Sequence, residues 1–218
     1  MIGSLLYETT TRPNIMQVVG LVARFQSAPK ETHMKEVKRI FRYLKGTLDF
    51  GLWYPKEEDF TLTAYTDVDW VGSIDDRKST SGGAFFLGKF LVSWISKKQP
   101  SISLSTTEDE YIIVSSCCTQ VIWMKQTLEN LQVKYDHPIL LNCDNINAIN
   151  LSKNLFMHSK TKHIPIKYHF LRDHVTQKIV KIVYLDTKEQ IADIFTKPLP
   201  RSTFQNLRHK LGVIQKPY

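Results

Sequence analysis

The sequence predicts an α/β fold: a mixed five-stranded sheet with helices on its faces, preceded by a small two-helix segment. Two patterns carry that prediction. Between residues 60 and 95, three apolar and β-branched runs (62–68, 84–87 and 91–95) are punctuated by Gly82, Gly83 and Gly88, the signature of a short antiparallel meander. Beyond residue 105, helical periodicity alternates with short apolar runs, so the order reads βββαβααβα. Helix-linked strands pair in parallel with right-handed crossovers, which makes the sheet mixed.

Ile15, Val18, Val19, Leu21, Val22 and Phe25 recur at helical spacing behind Thr11-Arg12-Pro13, a start signal with proline in the first turn. In a second helix, Val37, Ile40, Phe41 and Leu44 form the apolar stripe, Lys35, Lys38, Arg39, Arg42 and Lys45 a basic face, and Gly46 the stop. Two helices cannot bury a sufficient core alone and are expected to pack on the larger domain C-terminal to them. After the three strands comes a long helix over 105–131, then a strand over 139–143 and a short helix over 145–153. A basic helical segment over 161–176, a strand over 179–185 and a helix over 188–196 complete the domain. A last amphipathic helix spans 203–211. The expected division is 1–55, 56–200 and a C-terminal helix and tail over 201–218.

Composition narrows the function classes. Lys and Arg number 29 against 21 Asp and Glu, a formal net charge of +8, which favours a polyanionic partner. The longest apolar stretch, AFFLGKFLVSWI, is broken by Lys89 and too short to span a bilayer. The start lacks a basic region followed by a long apolar core, so no signal peptide is expected and the protein reads as intracellular, in a cytoplasmic particle or the nucleus. Cys117, Cys118 and Cys143 have neither disulfide nor zinc spacing and read as buried reduced thiols.

Four acidic residues stand out: Asp67 in AYTDVDW, Glu110 in STTEDEYI, Asp144 in LLNCDN and Asp193 in EQIADIFTK. Carboxylates at strand ends and helix starts can converge on one point, as two divalent cations roughly 3.5 to 4 Å apart require. Glu110 begins a stripe continued by Val114, Cys117, Val121, Met124, Leu128 and Leu131 in steps of four and three, so it faces the core. Glu108, two positions earlier, matches a capping box with Ser105 and is structural. Asp67 lies late in an apolar strand, where a carboxylate is costly unless paired or metal-bound, with Asp69 on the same strand face in a supporting position. Asp144 follows an apolar strand; its alternative role is to cap the next helix. The helical face of Asp193 is ambiguous. Residues 158–181 hold Lys160, Lys162, Lys167, Arg172, Lys178 and Lys181 with one acid, and read as a phosphate-tracking surface. The spacing of His158, His163, His169 and His174 fits no zinc helix.

The motifs AYTDVDW, RKSTSGGAFFLG, VSWISKKQ, SLSTTEDEY, LLNCDN, TKHIPIKYHF and EQIADIFTKPL resemble the ribonuclease H domain of copia-type retrotransposon Pol polyproteins. GSLLYETTTRPNI and VKRIFRYLKGTLDFGLWY resemble the segment joining the reverse-transcriptase thumb to that domain, and no YVDD-like polymerase motif is present. The resemblance implies a ribonuclease H fold that cleaves the RNA strand of an RNA·DNA hybrid. Its two Mg²⁺ ions, for which Mn²⁺ can substitute, would be held by Asp67, Glu110, Asp144 and Asp193. Ser81 and Asn145 are expected to read 2′-hydroxyls, and the reverse-transcriptase polymerase domain is a further expected partner. The alternative is a catalytically silent Pol fragment that binds nucleic acid or tethers a partner. An integrase-type transferase is disfavoured, because it needs two aspartates followed by a glutamate.

Overall fold

Strand propensity and helical stripes build the fold in the expected order, with additions at both ends. The computed structural model describes residues 1–56, 59–72, 77–100, 105–153 and 169–216. The five-stranded sheet comprises β2 (Leu62–Asp69), β3 (Thr80–Leu87), β4 (Phe90–Lys98), β5 (Ile139–Cys143) and β6 (Val180–Tyr184), in the spatial order β4-β3-β2-β5-β6. The meander β2-β3-β4 is antiparallel, whereas β2-β5 and β5-β6 are parallel. The result is a ribonuclease H-like α/β fold.

One sheet face packs on α4 (Thr106–Asn130), α5 (Ile146–Lys153) and α6 (His169–Thr176), through a core that includes Leu62, Ala64, Phe85, Tyr111, Cys117, Val121 and Leu141. Each large apolar side chain buried there contributes about 1.5–3 kcal/mol. The expected stripe on α4 is buried from Glu110 to Met124 and partly buried at Leu128; Leu131 falls just past the helix and is exposed. The other face packs Ala84, Phe86 and Leu91 against Ile191, Ile194 and Phe195 and against α7 (Arg201–Lys210).

Two expectations are corrected. Gly82 and Gly83 are not turn residues but lie inside β3, which starts at Thr80. The expected helix over 188–196 is two 3-10 turns, Thr187–Glu189 and Ile191–Phe195. Local side chains replace the helical ladder there: Asp186 accepts from the Lys188 N–H, and Gln190 accepts from the Ala192 N–H while donating to the Thr66 carbonyl at 2.8 Å. The first eight residues of the basic helical segment over 161–176 lie outside the described residues.

The N-terminal unit forms α1 (Ile2–Glu8), α2 (Met16–Ala23) and α3 (Glu31–Lys45) around Leu5, Ile15, Val19, Val22, Val37 and Ile40. It packs on the sheet as its small core requires: Trp94 Nε1 donates to the Thr9 carbonyl at 3.1 Å. A two-stranded ribbon that the sequence did not suggest pairs β1 (Phe50–Leu52) with β7 (Val213–Gln215), so the N-terminal unit and the C-terminal tail hold each other. Arg208 seals the junction, with its guanidinium 4.1 Å from the Phe50 ring centroid.

Close approach explains Gly82. A methyl group there would stand 2.6 Å from Thr196 Cγ2 and 3.0 Å from both the Ala192 carbonyl and Phe195 Cβ. Gly82→Ala is therefore expected to cost about 1–3 kcal/mol by overpacking and to push the Asp193 turn off the sheet. Gly20→Ala, in helix α2 with open space around it, is expected to stabilise by about 0.5–1 kcal/mol. Thermal denaturation of both variants checks the contrast.

Candidate active site

Because β2 and β5 run parallel, their carboxyl ends lie at one edge of the sheet, where ligands gather in open α/β folds. Asp67 is the sixth residue of β2, and Asp144 directly follows β5. Helix α4 begins at the same edge, because Ser105 caps it by accepting from the Glu108 N–H at 3.2 Å. Glu110 thereby lies in the second turn, 6% exposed. The Ile191–Phe195 turn, seated on Gly82, brings Asp193 opposite Asp67. Asp144 is not the helix cap: that role falls to Asn145, whose Oδ1 accepts from the Ala148 N–H at 3.1 Å.

All four carboxylates interact. Ligand atoms of Glu110, Cys143 and Asp144 lie within 4.8 Å of one another, and the Cys143 thiol is 3.9 Å from Glu110 Oε2. Desolvation, reinforced by Asp67 and Asp144, pushes the Glu110 carboxyl up to about 9. Desolvation and the neighbouring Asp67 push Asp193 up to about 7. Asp144 is raised by burial and then by Asp67, against a 2.9 Å hydrogen bond from Thr187 Oγ1. Asp69 is raised for the same reasons and so stands close enough to feel the centre. The thiol of Cys143 is raised to about 12 by burial, which keeps it protonated.

Several supporting groups were not singled out from the sequence. Lys197 Nζ lies 2.9 Å from Asp193 Oδ1 and 3.6 Å from Asp67 Oδ2. Thr196 Oγ1 donates to Asp67. At the start of α4, fully buried Asp109 accepts from the Ser79 hydroxyl, and Gln99 Nε2 donates to Ser81 Oγ at 2.9 Å. This polar network ties the β2–β3 connection, β3 and the end of β4 to the turn carrying Glu110. The available signal was the presence of these residues in the conspicuous strings STSGG, SKKQ and FTKPL.

The expected nucleic-acid contacts divide. Ser81 is buried and engaged by Gln99, and Asn145 is half-buried with its side chain capping α5. Arg172 is not on the basic surface: it is 8% exposed, with its guanidinium 6.0 Å from the Tyr111 ring centroid. Lys160, Lys162 and Lys167 lie outside the described residues, as do His158 and His163. All three cysteines are free and buried. Among the described residues, no helix is long and apolar enough to cross a membrane.

The donor set fits a pair of hard divalent cations. Four carboxylates from four elements converge, and two of them are raised well above the ordinary carboxylate range, first by burial and then by repulsion from their acidic neighbours. No zinc-type cluster of histidines and cysteines occurs among the described residues.

No family model matches the chain. It is 39% identical over 217 residues to the retrovirus-related Pol polyprotein from transposon RE2 of Arabidopsis thaliana and 40% identical over 217 residues to that from transposon RE1. Each alignment covers 100% of this chain and 15% of the relative. The Pol polyprotein from transposon TNT 1-94 of Nicotiana tabacum is 39% identical over 213 residues, 97% of this chain and 16% of the relative. Aligned almost end to end with a segment of these proteins, the chain is similar to retrovirus-related Pol polyproteins of copia-type transposons, and it spans about 15% of their length.

Proposed function

We propose that the chain is a divalent-metal-dependent endonuclease that hydrolyses the RNA strand of an RNA·DNA hybrid. The observation that carries this reading is the convergence of Asp67, Glu110, Asp144 and Asp193 at one sheet edge, with Glu110 raised to about 9 and so holding a proton that cations would replace. Its similarity to transposon Pol polyproteins and its net charge of +8 support a nucleic-acid substrate.

The four carboxylates would hold two Mg²⁺ ions, with Mn²⁺ as a substitute; when bound, these ions lower the pKa of an attacking water and neutralise the leaving oxygen. The water oxygen joins phosphorus as the bond to the 3′ oxygen breaks, leaving a 3′ hydroxyl and a 5′ phosphate. The protein's own part is positional. The Ser79-Asp109 and Gln99-Asp109 contacts fix the start of α4, and Thr196 holds one oxygen of Asp67 so that the other can turn toward the centre. Asn145, next to Asp144, is proposed to lie near the 2′-hydroxyl side of the RNA strand, and Lys160, Lys162 and Lys167 to meet phosphates. The polymerase portion of Pol is proposed as a partner.

Incubation with labelled hybrid and Mg²⁺ tests the reading. Cleavage confined to the RNA strand, and lost by at least about a hundredfold in Asp67→Asn, is expected. Binding without cleavage by the unsubstituted chain contradicts it and favours a silent tethering module instead.

The raised carboxyls impose a pH dependence. Relative to unfolded values of 3.8 and 4.5, the folded chain holds protons more tightly at Asp193 and Glu110, up to about 7 and about 9. Their contribution to metal-free stability is complete below the unfolded values and is lost as pH rises through the folded ones. The melting temperature in a chelator should fall steadily between pH 5 and pH 9, roughly the interval between those values, and Mg²⁺ affinity should climb over the same interval. Glu110→Gln should flatten the upper half of this decline, melt roughly 5 °C higher at pH 8 without metal, and abolish cleavage. Calorimetry across pH, with cleavage assays alongside, checks these outcomes.

A further inference from the structure

We propose that Lys197 is an exchanging counter-ion: its ammonium bridges Asp193 and Asp67 while the centre holds no metal, and it passes to a backbone phosphate of the bound nucleic acid when divalent cations enter. The proposal rests on the metal-dependent reading above and extends it to a residue that reading does not use.

The geometry is specific. Nζ stands 2.9 Å from Asp193 and 3.6 Å from Asp67, the two carboxylates that face each other across the β2 edge. Those partners have side chains only 11% and 4% exposed, whereas the lysine side chain is 32% exposed, so its stem reaches inward from the rim. Burial alone would favour the neutral amine, yet Asp67, Asp193 and Asp144 outweigh it and hold the charged form. The ammonium stands on Asp193 Oδ1 and beside the Asp67 oxygen that Thr196 also holds, so a cation bridging the free oxygen of Asp67 to Asp193 meets its charge at close range, and the two repel. Entry of metal must therefore displace the ammonium. Lys197 comes directly after the Ile191–Phe195 turn and Thr196 and is succeeded by Pro198, whose fixed φ limits local rearrangement, so its head group swings while its backbone stays.

A displaced ammonium at the rim of an acidic, metal-loaded centre lacks a counter-charge until a polyanion arrives. A phosphate of the substrate strand provides one. Metal entry thus costs an ion pair that substrate binding restores, and by thermodynamic reciprocity metal and hybrid each raise the affinity for the other. Lys197 is then a positioning residue for the metal-free centre and a substrate contact in the loaded one.

The test compares the unsubstituted chain with Lys197→Met and Lys197→Arg, using Ca²⁺ as a hard, oxygen-seeking probe and a short RNA·DNA hybrid. Calorimetry measures Ca²⁺ affinity with and without hybrid, and thermal melting in a chelator measures the metal-free state. Lys197→Met should bind Ca²⁺ about tenfold more tightly than the unsubstituted chain when hybrid is absent, and the gain in Ca²⁺ affinity on adding hybrid should shrink by a similar factor. It should also melt lower in chelator, and its hybrid affinity should lose about one unit of salt dependence. Lys197→Arg, which keeps the charge, should stay close to the unsubstituted chain in each measurement. Equal Ca²⁺ affinities for the unsubstituted chain and Lys197→Met, with and without hybrid, overturn the exchange while leaving the metal site standing. Failure of the unsubstituted chain to bind Ca²⁺ any better than Asp67→Asn overturns the metal reading and the exchange together.

Discussion

Four carboxylates held at one edge of a sheet repel one another, and the architecture around them is arranged to withstand that repulsion. Two of the four keep protons far above the ordinary carboxylate range. A lysine leans in from the rim against a third, and a threonine hydroxyl donates to the same oxygen of that residue. A cluster of this kind is a poor way to stabilise a fold, because each buried charge loses hydration that the protein only partly replaces. It becomes favourable when cations arrive, so the stored repulsion is what would draw divalent ions into the site.

Holding the cluster falls to backbone geometry more than to side-chain bonds. Parallel pairing of β2 with β5 sets Asp67 and Asp144 at the same end of neighbouring strands. Serine capping fixes where α4 starts, and the Ser79-Asp109 contact locks that start to the sheet. The last carboxylate depends on an absence: Gly82 lacks a side chain, so the Ile191–Phe195 turn can lie directly on β3. Glycine inside a strand weakens it, which makes its position opposite Asp67 intelligible only as the condition for this close approach.

Much of this was legible in the sequence. The α4 stripe of alternating steps of four and three placed Glu110 on the core face, and the serine cap separated it from Glu108. The apolar run over 139–143 ended where Asp144 begins. Other features were hidden for physical reasons. Gly82 and Gly83 read as turn residues because glycine gives one local signal for a bend and for a close contact with a distant segment. The 188–196 region has helical apolar spacing, but Gln190 breaks it by bonding to Thr66 across the sheet, a tertiary partner that periodicity cannot express. Arg172 sits among basic residues in the sequence yet turns inward onto Tyr111, since charge runs do not reveal which way a helix faces. The β1–β7 ribbon joins segments about 160 residues apart, beyond any local pattern.

The proposed chemistry stands on the carboxylates forming one divalent-cation centre. Its most direct test is anomalous diffraction from crystals of the chain grown with Mn²⁺ and an RNA·DNA hybrid. Two manganese peaks roughly 3.5 to 4 Å apart, bounded by Asp67, Glu110, Asp144 and Asp193, are the predicted result. Manganese absent from this edge of the sheet, or bound only elsewhere on the chain, would contradict it.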